Sequence, residues 1–345
     1  MMKQIVECVP NISEGKDQSI LESVAGSVRE VRDVKLLGFE PDKDYNRSVV
    51  TFVGSPEAVL QAAIRLTRTA TSLIDMRSHK GEHPRLGAVD VVPFIPISGV
   101  TMEDCVQLSR RYAETVASEL GIPVYLYEAA ARSPERRNLA DIRKGEYEGL
   151  PKKLQDPRWK PDFGAAVFNE QSGATVAGAR KFLIAYNVNL NTADSAVAHE
   201  IALRIRESGR AKKDEAGNPV KDADGKPVKI PGTLKAVKAM GVFLERHKIS
   251  QVSINLVDFE VTPPHAAFEE VKSQAKTLGA EGTGSEIVGL TPLKALLLAG
   301  NYYTDRQKRA ESLSEQELVK LASERLGLSQ LEPFDPMKKI IEYQL

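Results

Sequence analysis

Two histidines lie close together in a short polar segment, and histidine is the side chain best suited to proton transfer at neutral pH. The segment RSHKGEHPRLGAVDVVPFIP (Arg77–Pro96) contains His79 and His83, two of only five histidines among 345 residues. Glycine and proline interrupt its first half, whereas its second half is nearly continuous in apolar residues. Polar loops that lead into buried strands commonly carry catalytic residues. We therefore predict His83 as the leading catalytic candidate.

A single histidine can serve as both acid and base in a transfer reaction. An imidazole with a pKa near ~6.5 can take a proton from an attacking amine and return it to a leaving amine. Glu82, Arg85 and Asp90 are the neighbours that could orient the ring or set its pKa. The alternative is that His83 only braces the loop through hydrogen bonds to the backbone.

The same residues also match the H-x-x-E-H motif of one class of zinc peptidase. That chemistry needs both histidines and the glutamate on consecutive turns of one helix. Gly81 lies inside the motif, and Pro84 disfavours a helical backbone at His83. We therefore expect no metal site, and a zinc peptidase is the third alternative for function.

Composition argues against several classes of protein. The 47 basic and 47 acidic residues give a formal net charge of zero, which favours neither nucleic acid nor an anionic membrane as a partner. Cys8 and Cys105 lie in apolar runs and are expected to be reduced core thiols. No apolar run approaches the ~20 residues that a membrane span needs. We expect a cytoplasmic protein that binds neither membrane nor nucleic acid.

Hydrophobic periodicity predicts the element order β-α-β-β-α-β twice. In the first copy the strands and helices are Gln4–Val9, Gln18–Arg29, Val34–Phe39, Arg47–Val53, a helix from Ser55-Pro56, and Ala88–Ile95. In the second they are Lys181–Leu190, Ser195–Glu207, Ala236–Arg246, Gln251–Glu260, Ala266–Leu278 and Ser285–Leu290. The predicted fold class is α/β (α+β), with two ferredoxin-like subdomains in tandem, residues 1–178 and 179–345, whose sheets face a central cleft.

The sequence predicts further elements around these two copies. A helix at Met102–Leu120 and a strand at Val124–Tyr127 follow the first copy, and Ser133–Gly178 is expected to be irregular. Lys212–Lys229 is predicted to be an exposed hairpin loop, because it is charged and rich in turn residues. Gln307–Leu326 is predicted to be a helical region packed outside the second sheet.

Polar residues recur at strand positions in both halves. Asn11, Arg47 and Asn187 are examples. They are either the exposed face of half-covered sheets or the lining of a shared cleft. Phe163–Lys181 is rich in small residues, which suit a flat ligand, and it ends in Arg180-Lys181, which suits a carboxylate. The alternative is that this stretch is an interdomain linker.

Long runs of the sequence resemble the glutamate formimidoyltransferase family, the formiminotransferase portion of the formiminotransferase-cyclodeaminase enzymes. The runs are VECVPNISEGK (Val6–Lys16), NRSVVTFVG (Asn46–Gly54), IDMRSHKGEHPRLGAVDVVPFIP (Ile74–Pro96), PVYLYEAA (Pro123–Ala130), IRKGEYEGLPKKLQ (Ile142–Gln155), PDFG (Pro161–Gly164), GARKFLIAYNVNL (Gly178–Leu190), QVSINLVDFEVT (Gln251–Thr262) and VGLTPLKALL (Val288–Leu297). The resemblance implies two α/β subdomains around a folate-binding tunnel, and a homodimer. It also implies transfer of the formimino group from N-formimino-L-glutamate to N5 of tetrahydrofolate, the co-substrate, in histidine degradation.

The resemblance also implies roles for individual residues. The catalytic histidine of the family falls on His83. The folate-contacting segment falls on Gly164, Ala165, Ala166, Val167, Phe168, Asn169, Glu170, Gln171, Ser172 and Gly173. Possible substrate-binding residues are Asn11, Glu40, Arg47, Arg180, Lys181 and Asn187.

Two departures from the family pattern accompany these roles. The segment Val167–Ser172 differs from the mammalian version, and Glu40 stands where relatives carry aspartate. Because the chain ends at Leu345, we expect a separate cyclodeaminase to use the product. The alternatives are a formyltransferase acting on formylglutamate or 5-formyltetrahydrofolate, and a folate-binding protein without turnover.

Overall fold

The polypeptide divides after Lys181 into unit 1 (Met1–Lys181) and unit 2 (Phe182–Leu345). A computed structural model of the chain describes residues 3–43, 45–81, 83–214, 217–222, 224–306 and 313–344. Each unit combines a β-sheet with packed helices, which confirms the predicted α+β class.

Unit 1 contains both the histidine segment and the segment of small residues. In chain order its elements are β1 (Ile5–Cys8), β2 (Asn11–Ile12), α1 (Gln18–Arg29), β3 (Val34–Asp42), β4 (Arg47–Gly54), α2 (Pro56–Leu73), β5 (Val89–Ser98), α3 (Met102–Leu120), β6 (Val124–Glu128), α4 (Leu139–Arg143), α5 (Glu146–Leu154) and β7 (Thr175–Ala179). Short 3-10 turns lie at Pro134–Arg136 and Pro157–Trp159.

The ends of the long helices follow from local capping chemistry. The carboxylate of Asp17 accepts hydrogen bonds from the backbone N–H groups of Ser19 and Ile20 and so begins α1. Thr101 and Asp104 form a reciprocal capping box at the start of α3, and Gly121 ends that helix in the left-handed conformation. Both helices have the predicted bounds.

The sheet of unit 1 has an antiparallel part and a parallel extension. Strand β3 pairs with β4, β4 pairs with β1 and β2, and both of these pair with β5, all antiparallel. Strand β7 then lies between β5 and β6 and is parallel to both. The first β-α-β-β-α-β order is therefore confirmed, and β6 and β7 extend its sheet.

The expectation that Ser133–Gly178 is irregular was wrong. That stretch contains α4, α5 and most of β7. Strand β7 is buried throughout, and a Cβ on Gly178 would lie 2.4 Å from the ring of Tyr127. A strand this crowded needs small residues, and the resulting composition resembles that of a linker.

Both faces of the unit 1 sheet are covered in part by apolar packing. Helices α1, α2 and α3 pack on one face against side chains such as Val6, Phe52 and Phe94. Ile142 of α4 and Leu150 of α5 join a second cluster around β5, β6 and β7. The two cysteines are free and buried, and burial raises the pKa of the Cys105 thiol to about 12.

Unit 2 repeats the element order on a smaller sheet. Its elements are β8 (Ile184–Leu190), α6 (Ser195–Ile205), β9 (Arg210–Ala211), β10 (Lys229–Ile230), β11 (Val237–Leu244), β12 (Ile249–Leu256), α7 (Pro264–Thr277), β13 (Gly282–Val288), α8 (Leu293–Arg306), α9 (Glu315–Leu326) and α10 (Pro336–Lys339). The main sheet has the order β11-β12-β8-β13 and is antiparallel throughout. The second β-α-β-β-α-β order is confirmed.

Three other features of unit 2 bear on the predictions. Strands β9 and β10 pair antiparallel at the base of the predicted Lys212–Lys229 hairpin loop. Helix α8 was not predicted, and residues 307–312 of the predicted C-terminal helical region lie outside the described residues. Within the described part of the chain, no helix combines the length and the apolar character that crossing a membrane requires.

Candidate functional site

The histidine segment is an irregular loop between α2 and β5. Within it, Nε2 of His79 lies 2.9 Å from the carbonyl oxygen of Asn46, and Nε of Arg85 donates to Nδ1 of His79 over 3.4 Å. Because an arginine only donates, His79 carries its proton on Nε2 and donates it to Asn46. Both ring nitrogens are engaged by protein groups, so His79 braces the loop.

The geometry of this loop bears on the zinc alternative. His79 and His83 are not on a helix, which that motif requires. Among the residues that the structure describes, no group of three or more His, Cys, Asp or Glu side chains could hold a metal ion. Glu82 lies outside the described residues.

His83 contacts an arginine through the ring nitrogen that faces it. Nη1 of Arg47 lies 2.8 Å from Nε2 of His83. Since the guanidinium donates, Nε2 is the acceptor and the ring proton is on Nδ1. Burial, with the charges of Arg47 and Arg143, lowers the pKa of His83 to about 4. The imidazole is therefore neutral at neutral pH, which is the form that a general base requires.

The turn before β4 positions Arg47 beside the histidine loop. Asn46 has a positive φ of 47°, its side-chain oxygen accepts from Gly15 N–H, and its Nδ2 donates to the carbonyl of Lys80. A Cβ on Gly81 would lie 2.3 Å from the carbonyl oxygen of Tyr45. Glycine at this position allows the loop to lie against the turn.

A second guanidinium reaches the same place from α4. Arg143, the last residue of α4, donates to the carboxylate of the buried Asp90. The other Asp90 oxygen accepts from Leu86 N–H over 2.9 Å. Burial raises the pKa of Asp90, and the charge of Arg143 opposes that rise. Arg143 was not among the predicted site residues, and the only indication of it was its place in the family-like run Ile142–Gln155.

Arg47 and Arg143 are incompletely paired. Burial and the charge of Arg143 lower the pKa of Arg47. The Nε atoms of Arg47 and Arg143 are both buried and have no hydrogen-bond partner among the described residues. Buried N–H groups of this kind are unfavourable until a partner reaches them.

Helix α5 connects the histidine loop to the segment Gly164–Gly173. The buried Arg85 makes ion pairs with Glu146 and Glu148 at 3.0 and 2.6 Å. Tyr147 donates its backbone N–H to the carbonyl of Arg85 over 2.9 Å, and its hydroxyl donates to the carbonyl of Glu170. One tyrosine therefore bridges the two candidate segments.

The segment Gly164–Gly173 has an exposed first half and a fixed second half. Val167 is 67% exposed. Further along, Gln171 accepts from Met76 N–H and Ser172 accepts from Ala88 N–H, both over 2.9 Å. Gly173 has a φ of 68°, and a Cβ there would lie 2.1 Å from the carbonyl oxygen of Leu86. The second half is thus held against the chain that leaves His83.

Comparison with known proteins identifies the family. Residues 5–180 match the family described as the formiminotransferase domain, N-terminal subdomain. Residues 185–345 match the family described as the formiminotransferase domain. The chain belongs to the formiminotransferase family.

Two kinds of relative are similar to this formiminotransferase-family chain. The formimidoyltransferase-cyclodeaminase of Mus musculus is 47% identical over 342 residues, which cover 99% of this chain and 60% of the mouse protein. The glutamate formimidoyltransferase of Streptococcus pyogenes serotype M1 is 42% identical over 302 residues, covering 88% of this chain and 94% of that protein. The protein of the same name from Thermoplasma acidophilum is 42% identical over 301 residues, covering 87% and 92%. The chain thus spans about 60% of the length of the bifunctional relatives it matches.

Two of the possible substrate-binding residues lie on the sheet near Arg47. Glu40 of β3 is exposed and pairs with Val49, and Asn11 of β2 pairs with both Val49 and Val91. Directly paired residues share a face of a sheet, and Val49 shares its face with Arg47 two residues before it. The register therefore places Glu40, Asn11 and Arg47 on one face.

The remaining candidates lie elsewhere. Arg180 donates its backbone N–H to Phe94 beyond the end of β7, about 23 Å along the strand direction from Gly173. The side chain of Arg180 hydrogen-bonds Tyr127, the charges of Arg180 and Arg143 both oppose the rise in the pKa of Tyr127, and Lys181 is exposed. Asn187 belongs to β8 of unit 2, where its amide donates to Glu286 over 3.0 Å.

Proposed function

We propose that the protein is a glutamate formimidoyltransferase, which moves the formimino group of N-formimino-L-glutamate to N5 of tetrahydrofolate. The observation that carries this proposal is the neutral imidazole of His83, held beside Arg47 in a chain of the formiminotransferase family. The relatives from Streptococcus pyogenes and Thermoplasma acidophilum, which carry the same activity in their names, support it.

His83 performs both proton transfers in this reaction. As the N5–carbon bond forms, Nε2 of His83 removes the proton of the attacking amine. As the bond between that carbon and the glutamate nitrogen breaks, His83 returns the proton to the departing nitrogen. When N5 attacks, the π pair of the formimino C=N bond moves onto the imino nitrogen, and it re-forms that double bond as the carbon–glutamate nitrogen bond breaks. The electron pair of the broken bond stays on the glutamate nitrogen, so bonds, protons and charges balance. Neither a metal nor a covalent enzyme intermediate enters these steps.

The segment Gly164–Gly173 is the proposed binding site for tetrahydrofolate. Its first half is exposed and small, which lets the backbone approach a flat ring. Its second half is anchored beside the strand that follows His83, so a ligand on this segment lies near the base. Asn11, Glu40, Arg47, Arg180, Lys181 and Asn187 are the proposed contacts to the substrates.

The resemblance to the family supports a wider setting for this activity. We place the protein in histidine degradation in the cytoplasm, as a homodimer acting on small-molecule substrates. Its formimino product suits the cyclodeaminase activity that the bifunctional relatives carry in their names.

A direct assay tests the reaction. Purified protein, His83→Gln and His199→Gln are incubated with tetrahydrofolate and either formiminoglutamate or formylglutamate, and 5-formiminotetrahydrofolate is measured by absorbance. We expect turnover of the formimino donor, a fall in kcat of about 10²–10⁴-fold in His83→Gln, and an unchanged rate in His199→Gln, since His199 is exposed on α6.

Two results would contradict the proposal. Preference for formylglutamate would indicate the formyltransferase alternative. Binding of tetrahydrofolate by calorimetry without turnover of either donor would indicate a folate-binding protein.

A further inference from the structure

The surroundings of His83 contain two guanidinium groups, and one of them, that of Arg143, is directly paired with a carboxylate. Arg47 donates to His83, and Arg143 donates to Asp90. Each guanidinium retains a buried Nε–H without a partner among the described residues. Arg47 thus donates to a neutral imidazole, the charges of Asp90, Asp42 and Glu40 also act on it, and each guanidinium keeps one donor that points to no described acceptor.

We propose that Arg47 and Arg143 form a binding site for a carboxylate of the donor, and that the bound carboxylate draws Arg47 away from Nε2 of His83. The inference rests on the proposed function only for the identity of the donor. It adds Arg143 to the site and gives Arg47 a second role, as the group that covers the base until the donor arrives.

The free donors favour a carboxylate as the ligand. A guanidinium binds a carboxylate through two parallel N–H groups, and Nε–H is one edge of that fork. Arg143 and Asp90 form a neutral pair, which leaves the charge of Arg47, on which the carboxylates of Asp42 and Glu40 already act, for a single further carboxylate. A dianionic phosphate would leave an excess negative charge next to the buried Asp90.

The contact between Arg47 and His83 makes this displacement necessary for catalysis. The lone pair of Nε2 accepts the Arg47 proton donor in the structure, so it cannot accept a proton from a substrate at the same time. Moving Arg47 onto a carboxylate frees the lone pair and removes a positive charge from beside the ring. Both effects make His83 a stronger base when the donor is bound.

Other charged groups around His83 act in known directions. The charge of Glu146 in α5 raises the pKa of His83, although Glu146 is itself paired with Arg85, and the charges of Glu40 and Asp42 in β3 act on Arg47. Tyr45, before β4, presents an edge at 6.2 Å between ring centroids. Burial remains the largest cause of the low pKa, followed by Arg47 and then Arg143. We therefore expect a bound carboxylate to return the pKa only part of the way towards 6.5.

Histidine NMR on the full chain tests this proposal without any turnover. The ¹⁵N shifts of His83, assigned by comparison with His83→Gln, are followed from pH 5 to 8 in free protein and with saturating L-glutamate. We expect the free ring to stay neutral across this range, and the glutamate complex to show a protonation midpoint at least one pH unit above about 4. The ¹⁵N shifts of the exposed His199 serve as the control and should not differ between the two samples.

Variants of Arg143 and a neutral ligand test whether the guanidinium of Arg143 and the carboxylate of the ligand are both needed for the shift at His83. Arg143→Gln should weaken glutamate binding about tenfold or more by calorimetry and remove the shift at His83. Arg143→Lys keeps the positive charge but loses the two parallel N–H donors of the guanidinium. This variant should bind glutamate more weakly than the unmodified protein and more tightly than Arg143→Gln. Glutaramide, which carries no carboxylate, should leave the His83 signal unchanged.

The outcomes separate this inference from the proposed function. The inference is overturned if His83 titrates identically with and without bound glutamate, or if Arg143→Gln binds glutamate normally. If glutamate shifts His83 but no formimino group is transferred, the proposed function fails and the inference stands. If transfer occurs without the shift, the proposed function stands and the inference fails.

Discussion

At the scale of single residues, the central relationship is an arginine that donates to the histidine beside it. Two positive groups near an imidazole disfavour its protonated form, and partial burial adds to the effect. His83 is affected by all three, since Arg47, Arg143 and burial lower its pKa. A purely structural role for His83 does not account for this arrangement, because the Nε–H groups of the two arginines are buried without a hydrogen-bond partner in the part of the chain that the structure describes.

The low pKa of His83 makes folding stability depend on pH in a defined direction. The pKa falls from 6.5 in the unfolded chain to about 4 in the folded protein, so the unfolded chain binds more protons between these values. Stability is therefore full above pH 6.5 and is lost as the pH falls towards 4. When the pH is lowered from 7.5 to 5, the unmodified protein should lose this stabilisation and His83→Gln should not. We expect the free energy of unfolding of His83→Gln to rise by about 1 kcal/mol relative to that of the unmodified protein, after allowance for solvent screening of the half-exposed ring.

Urea unfolding at pH 7.5 and pH 5 measures this difference. His199→Gln is the matched control, because it removes an exposed histidine from α6. Equal pH dependence in His83→Gln and the unmodified protein would show that the His83 ring titrates normally, contrary to the structure.

Some site residues could be predicted from the sequence, and others could not. His83 and Arg47 could be selected because histidine is rare in this chain and because arginine at the start of a strand is conspicuous. Arg143 lies 53 residues beyond its partner Asp90. Its role depends on a short helix folding back onto the sheet, which no local spacing indicates.

At the scale of elements, a close contact between two glycines holds the segment Gly164–Gly173 against the residues that lead from His83 into β5. Gly87 and Gly173 form an isolated bridge, and a Cβ on either glycine would meet backbone oxygen at 2.3 Å or less. Tyr147 makes a second link between the same segments. The position of Gly164–Gly173 is thus fixed from one end.

Replacing Gly173 by alanine should loosen this link. Its φ of 68° and the 2.1 Å approach to the Leu86 carbonyl both oppose a side chain. We expect Gly173→Ala to lower the free energy of unfolding by about 3 kcal/mol and to increase hydrogen exchange in residues 164–173. Gly26→Ala in α1, where a Cβ meets nothing within 4 Å, should be neutral or stabilise by up to about 1 kcal/mol. Equal stability of the two variants would contradict the proposed contact.

Elements with local determinants were the ones predicted well. The capped helices α1 and α3 have the predicted bounds, because Asp17, Thr101 and Gly121 define their ends within one turn. Strand β7 was missed, since it is short, parallel and built from small residues. Helix α5 contains Pro151 and could not be recognised from helical propensity.

At the scale of the whole molecule, unit 1 has apolar packing of its own. Its two apolar clusters are formed by residues between Val6 and Ala179, and they cover both faces of the sheet. The contacts among His83, Arg47, Arg143 and Asp90 also lie within this unit. The apolar packing of unit 1 and the contacts around His83 therefore depend on the first 181 residues.

A fragment ending at Lys181 is accordingly expected to fold alone. A chain of this length buries a core sufficient for independent stability, and no residue of the unit 1 clusters is removed by the truncation. Circular dichroism should show one cooperative thermal transition, and the His83 ¹⁵N shift should equal that of the full chain, because Arg47 and Arg143 are retained. A fragment ending at Gln155, which lacks β7 and the Gly173 contact, is the matched control and should not fold cooperatively. A Lys181 fragment that binds a hydrophobic dye and melts without a transition would show instead that unit 1 requires unit 2 to fold.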